Sequence, residues 1–170
     1  MKIAETGRLI IREFTLDDAE DLFGFYSQPL TMKYLGAPPA SIEEVRGDIA
    51  DHIHKYYGEL GYGLWGVALR NAGTLIGRAG ILRQAVDGQL IPEISYLLDQ
   101  DHCGNGYATE AASEIVNVAR WIHKFDRMIA VIHPLNTQSI NVAEKCGFEY
   151  LKRLSEFKDF GPVNVYARSL

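Results

Sequence analysis

Apolar residues recur along the chain with two periods, and the alternation of those periods lays out its elements. From Arg8 to Phe14 the period is two: Leu9 and Ile11 share one face, and Arg8, Ile10 and Arg12 share the other, as in a first strand. Thr15 can cap a helix whose first turn holds Asp17 and Asp18 and whose inner stripe is Ala19, Leu22, Phe23 and Tyr26; Pro29 is expected to end it. After a loop from Thr31 to Ala40, Ser41-Ile42-Glu43-Glu44 is a capping box, which predicts a second helix to about Tyr57 and a turn region from Gly58 to Gly63. Leu64 to Leu69 and Thr74 to Leu82 form a hairpin across Asn71-Ala72-Gly73, and Gln84 to Gly88 should turn the chain into a central strand, Glu93 to Leu98. Asp99 to Asn105 has loop composition. From Tyr107 onward Ala108, Ala112, Ile115, Val116, Ala119 and Ile122 fall at helical spacing. Arg127 to His133 is a buried strand stopped by Pro134. Asn136 caps a helix from Thr137 to Cys146, with Gly147 at the left-handed position beyond it. Phe148 to Phe157 and Val163 to Arg168 make a closing hairpin around Gly161-Pro162.

The resulting order, β-α-α-β-β-β-α-β-α-β-β, implies an α+β domain spanning 1–170, with a mixed central sheet of about seven strands flanked by about four helices. Composition narrows the function classes. The chain has 170 residues, enough for one real core, with 47% hydrophobic and 23% charged residues. A net charge of −5 argues against nucleic-acid binding, which wants a basic face. No apolar run approaches the ~20 residues of a transmembrane helix, and the N-terminus lacks a signal-peptide core, so no membrane role and a cytoplasmic location are expected. Cys103 and Cys146 are expected to be free thiols.

Candidate chemistry centres on Gly104-Asn105-Gly106, between the central strand and the central helix. Glycines there free the backbone to aim successive N–H groups outward at a helix N-terminus, an arrangement that binds phosphate or pyrophosphate, or else forms an ordinary strand-to-helix turn. It is not a P-loop, because Tyr107 follows Gly106 where Lys would be required. It is a poor dinucleotide fingerprint, because Thr109 stands at the third small position.

The stretch Gly104-Asn105-Gly106-Tyr107-Ala108-Thr109-Glu110-Ala111 resembles the acetyl-CoA loop of the GNAT N-acetyltransferases. Glu93-Ile94-Ser95-Tyr96, Asn136-Thr137-Gln138-Ser139, Glu144-Lys145-Cys146-Gly147-Phe148 and the opening Thr6-Gly7-Arg8-Leu9-Ile10-Ile11-Arg12 are similar, in order, to motifs of the branch that acetylates ribosomal-protein N-termini. The resemblance implies acetyl-CoA as cosubstrate, no metal, and a sheet that splays open beside the central strand. Pantetheine would lie along the backbone of Tyr96, Leu97 and Leu98, which can accept an added strand. Pyrophosphate would lie on the N–H groups of Cys103, Gly104, Asn105, Gly106, Tyr107, Ala108 and Thr109. Asn136 would bond pantetheine or only cap its helix, and Lys145 would meet a CoA phosphate or only solvent.

Acetyl transfer needs a neutral amine. An alkyl ammonium ordinarily titrates at ~10.4 and an α-ammonium at ~7.7–8.0, so a general base is useful. Glu93 is the candidate base, acting through a water, or else a paired strand carboxylate. Much of the superfamily carries a Tyr where this chain has Ala143, so protonation of the leaving thiolate falls to Ser139 or to water; Ser139 is otherwise a helix-start hydroxyl. His52 and His54, two apart on a helix, face apart and do not suggest a metal. Tyr26, Tyr34, Tyr56, Tyr57, Tyr62 and Trp65 either line an acceptor face or pack the core, and Glu13, Asp48 and Glu59 could attract a cationic amine. The expected acceptor is a protein or peptide N-terminal α-amino group. A small-molecule amine and a non-catalytic acyl-CoA-binding module are the alternatives. A homodimer would form through the final hairpin.

Overall fold

The framework of the fold is one long hairpin. In the computed structural model, which describes residues 1–170 except the side chain of Asp159, β4 (Leu75–Val86) and β5 (Gln89–Leu98) pair antiparallel from Gly77↔Leu98 to Val86↔Gln89. Asp87 and Gly88 between them both have positive φ, 51° and 75°, the backbone of a tight two-residue turn that Asp-Gly favours. The turn expected from Gln84 to Gly88 is therefore only Asp87-Gly88, and Gln84 belongs to the strand. Its polar character does not end β4, because the pairing with β5 continues past it.

The sheet extends from this hairpin both ways, in the order β1-β2-β3-β4-β5-β6-β8-β7. On one side lie β3 (Leu64–Leu69), β2 (Leu9–Arg12) and β1 (Lys2–Glu5), all antiparallel. On the other, β6 (Arg127–Ile132) runs parallel to β5, followed by β8 (Val163–Ser169) and the edge strand β7 (Glu149–Leu154). There are eight strands rather than about seven. The extra one, β1, holds only Ile3 and Ala4 as apolar residues, too few for a periodic signal, and exists through its pairing with β2.

The helices begin and end for local reasons. Before α1 (Ala19–Tyr26) the Thr15 N–H donates to Asp18 Oδ2 at 2.7 Å, and both Asp18 oxygens accept from Arg12, at 2.7 and 2.8 Å. Pro29 opens a further short helix, α2 (Pro29–Met32), at the position where its missing N–H costs nothing. It is a fifth helix beside the about four expected. At α3 (Ile42–His52) half of the expected capping box forms: Ser41 Oγ accepts from the Glu44 N–H at 3.2 Å, but Glu44 Oε2 accepts from the Ala40 N–H at 2.7 Å, one residue before the cap, rather than from Ser41. The helix continues as a wider π-helical stretch through Leu60, enclosing Gly58, and stops at Gly61 with φ of 74°. α4 (Tyr107–Trp121) and α5 (Thr137–Lys145) lie where their spacing places them, with Gly147 at φ of 78° beyond α5.

α4 buries Ala111, Ala112, Ile115, Val116 and Ala119 in one cluster with Ile76, Ile81, Ile94 and Leu98 of the sheet, while Ile122, past its end, is exposed. α1 and α3 cover the opposite face, with Phe14, Leu22, Phe25, Val45, Ile49 and Leu75 between them. Period two in β4 and β5 therefore sends Ala79, Ile81, Ile94 and Leu98 toward α4. Arg78, Leu82, Gln84, Glu93, Ser95 and Leu97 point to the other face.

Candidate active site

β5 and β6 share a single register pair, Glu93↔Ile129. Beyond it the strands part, and the backbone of Ser95 to Leu98 has no β6 neighbour. The parting opens a cleft of about 900 Å³. It is floored by β5, walled by the N-terminal ends of α4 and α5, and roofed by α2, the loop that follows it, and the β7–β8 connection.

At one end stands the glycine loop. Gly104 and Gly106 have φ of 81° and 79°, and Gly106 is the residue before α4, as the motif requires. The loop is clamped from outside by the chain's opening motif. Glu110, in the first turn of α4, accepts from Thr6 Oγ1 (2.5 Å), from the Arg8 N–H (3.0 Å) and from Arg8 Nε (2.6 Å); Arg8 also donates to the Asn105 carbonyl at 2.9 Å and covers the Tyr107 ring at 4.5 Å. Burial alone would raise the Glu110 pKa, but these donors outweigh it and hold the carboxylate ionised below its usual range. Cys103, Gly104, Gly106, Tyr107, Ala108 and Thr109 line the cleft; Asn105 does not, its amide donating at 3.3 Å to the carbonyls of His102 and Cys103. Asp99, buried beside the loop, accepts from Gln28 Nε2 at 2.7 Å and meets His102 Nδ1 at 2.8 Å, which ties the end of α1 to the end of β5.

Tyr96, Leu97 and Leu98 line the middle of the cleft, with Asn136, Ser139 and Lys145 of α5 facing them. Asn136 Oδ1 accepts from the Ser139 N–H at 3.2 Å, so the capping role is present. The Tyr96 hydroxyl donates to the Ser139 carbonyl at 2.7 Å, and burial raises its pKa. Ala143, fully buried, belongs to the same core cluster that Tyr96 packs against. The central strand thus supplies the tyrosine beside α5 that the helix itself lacks.

Glu93 sits where the strands part, 7% exposed. Burial pushes its pKa up to about 7, against the opposing pull of Gln84, Lys158, the Val131 N–H and the Arg78 charge. Its Oε2 accepts from Gln84 Nε2 at 2.8 Å, and Gln84 Oε1 in turn accepts from Lys158 Nζ at 2.6 Å. With its oxygen committed to Lys158, the Gln84 amide can only present its N–H₂ to Glu93. Sequence reasoning missed Gln84, hidden in a supposed turn, and Lys158, 74 residues away from it.

The remaining wall is the one expected to face the acceptor. Tyr26, Tyr34 and Asp48 of the expected set line it; Tyr62 and Trp65 are core, Tyr56 stacks on His52, and the Tyr57 hydroxyl is spent on the Leu64 carbonyl. Glu13 pairs with the N-terminal ammonium at 2.9 Å, and Glu59 lies outside the cleft. Tyr34 stacks on His133 at 4.8 Å and donates to the Leu135 carbonyl at 3.1 Å, which carries the loop after α2 across to β6. His52 accepts from the Leu64 N–H at 2.8 Å and is held neutral by burial, with its pKa lowered to about 4; His54 is exposed. Among the described residues no group of three or more His, Cys, Asp or Glu could hold a metal, and no helix is long and apolar enough to cross a membrane. Cys103 and Cys146 are free thiols.

A helix-flanked sheet parted beside a central strand, with a glycine loop at the opening, is an acetyltransferase arrangement, and sequence comparison agrees. The Acetyltransferase (GNAT) domain matches residues 8–149, so the chain belongs to the GNAT acetyltransferase family. The uncharacterized N-acetyltransferase YoaA of Bacillus subtilis (strain 168) is 32% identical over 148 residues, 86% of this chain and 82% of that protein. The uncharacterized protein YkkB of the same organism is 38% identical over 112 residues, 65% of this chain and 64% of its own length. Among solved structures, RimL, a ribosomal L7/L12 alpha-N-protein acetyltransferase in complex with coenzyme A, superposes with a TM-score of 0.80 at 20% identity, covering 100% of this chain and 98% of that one. Family and relatives together make the chain an N-acetyltransferase.

Proposed function

We propose that this enzyme takes the acetyl group of acetyl-CoA directly to a primary amine, with a protein or peptide N-terminal α-amino group as the leading acceptor, and that residues 1–170 work as one cytoplasmic domain. The observation that carries the reading is Glu93: a buried carboxylate with a pKa near 7, facing the cleft where β5 and β6 part, next to an open strand edge and an anion-binding loop. Pyrophosphate rests on the N–H groups of Gly104 to Thr109, and pantetheine adds to the backbone of Tyr96 to Leu98. Asn136 and Lys145 complete the CoA side.

The amine nitrogen attacks the thioester carbonyl carbon. A C–N bond forms, and the carbonyl oxygen becomes an oxyanion held by the Leu97 or Leu98 N–H. Collapse of that intermediate breaks the C–S bond. The proton lost by nitrogen passes through a water to Glu93, whose pKa suits a general base near neutral pH. The departing thiolate takes a proton from Ser139 or from water. The RimL likeness, at the level of fold, and the run of branch motifs support a peptide acceptor over a small-molecule amine.

The test is thiol release from acetyl-CoA across peptides with varied N-termini, amino acids, polyamines and aminoglycosides. Release with one class names the acceptor, and kcat/KM on it should fall as pH drops through about 7, where Glu93 gains its proton. A Ser139→Ala enzyme at the wild-type rate would assign the thiolate proton to water. Saturable acetyl-CoA binding with no release on any amine would overturn the reading in favour of a binding module.

A further inference from the structure

Arg78 projects from β4 into the cleft on the face covered by α1 and α3, opposite the face that carries α4 and its glycine loop. Its Nε is out of solvent and has no hydrogen-bond partner. Its other contacts are an NH1 donation to Ser95 Oγ at 3.4 Å and the Tyr26 ring, 5.9 Å from the guanidinium carbon. Among the described residues no carboxylate stands within ion-pair distance of it, although Glu93 feels its charge across the sheet, whereas Arg8, Arg12 and Arg70 are each paired with a Glu or Asp. A half-buried guanidinium without a counter-ion is an unfavourable thing to keep in a cleft, and its planar fork of donors matches a carboxylate.

The position says which molecule brings the anion. Ser95 and Glu93 are two residues apart on one face of β5, about 7 Å along the strand. The guanidinium at Ser95 therefore lies within a few bonds' reach of an amine held at Glu93. We infer that Arg78 is a specificity residue that binds a carboxylate carried by the acceptor amine itself, an inference that rests on the acetyl-transfer reading. Two acceptors share this chemistry: a free amino acid with its α-carboxylate, and a peptide whose N-terminal residue is acidic.

Binding of acetylated products tests this without requiring turnover. CoA-loaded enzyme is titrated calorimetrically with two matched pairs: N-acetylmethionine against N-acetylmethionine amide, and acetyl-Glu-Ala-Ala-amide against acetyl-Gln-Ala-Ala-amide. In at least one pair the carboxylate binds about tenfold to a hundredfold more tightly, as a charge-assisted bidentate contact predicts. The preferred pair identifies the source. In Arg78→Met the two members of that pair come within about twofold of each other while CoA affinity stays at the wild-type value, and Arg78→Lys keeps part of the preference. Equal affinity within both pairs, no binding of either carboxylated product, or a preference that survives in Arg78→Met overturns the inference. Failure of acetyl transfer would appear instead as absent thiol release, whatever these titrations give.

Discussion

The two ends of the cleft are built in different ways. The end proposed for CoA is almost entirely backbone from one stretch, Tyr96 to Thr109, held in shape by two positive-φ glycines and clamped by the Arg8–Glu110 contacts. The end proposed for the acceptor is made of side chains: Arg78 and Gln84 from β4, Glu93 from β5, Lys158 from the β7–β8 connection, and Tyr26 and Tyr34 from the first helices and their loop. Backbone amides bind any pyrophosphate alike, so a cosubstrate site can be local. Selecting one amine needs particular groups at particular distances, and those come from wherever the sheet brings them together.

The comparison predicts that the two ends fail separately. The largest effect should come from Glu93→Gln. Loss of a general base lowers kcat/KM by about 10²-fold or more with acetyl-CoA affinity kept, and the extra inflection near pH 7 disappears, leaving only the fall set by protonation of the acceptor amine. The same variant should change the pH dependence of stability. The folded-state pKa of Glu93 lies above the ordinary value of 4.5, so the native state holds more protons than the unfolded chain between pH 4.5 and about 7, and wild-type stability falls as pH rises through that window. Glu93→Gln removes the fall, on the order of 3 kcal/mol, readable by urea denaturation at pH 5 and pH 8. Equal slopes in the two proteins would show that Glu93 is ionised throughout.

Gly106→Val is the counterpart at the CoA end. A β-branched residue at φ of 79° is strained by roughly 1–2 kcal/mol, which should weaken acetyl-CoA binding about tenfold while the acceptor KM at saturating acetyl-CoA stays put. If the acceptor KM moved as far as acetyl-CoA affinity, the two ends would not be separable. Lys158→Met gives the smallest effect. Lys158 is exposed and acts on Glu93 only through Gln84 and across space, so its loss raises the Glu93 pKa. The expected result is a two- to fivefold lower kcat/KM at pH 6, as for an exposed charge worth about 0.2–1 kcal/mol, and an unchanged plateau at high pH. A change of plateau with no shift in the profile would place Lys158 on the substrate instead.

What could be read along the chain was whatever local physics encodes. The glycine loop, the Ser41 cap, the Asn136 cap, the Gly147 terminator and the α4 stripe each need only a few neighbouring residues, and each lies where its pattern predicts. Glu93 was legible as a candidate by its place in a motif, but its perturbed pKa was not, since that comes from burial beneath residues far along the chain. The errors have the same origin. Gln84 looks like a turn residue because it is polar, yet its pairing with Ile91 across the hairpin holds it in β4. β1 has almost no pattern of its own and is made by β2.

Residue order alone settles the helices, most of the strands, the α+β class and a positive-φ glycine loop before α4, because capping, periodicity and positive φ act over a few residues. Three features lie outside local pattern: the parting of the sheet after Glu93↔Ile129, expected only through the family resemblance, the orienting of Gln84 against Glu93 by Lys158, and the place of Arg78 in the cleft with no ion pair and an unpartnered Nε. They depend on pairing, burial and charge between segments tens of residues apart, and no local pattern encodes them.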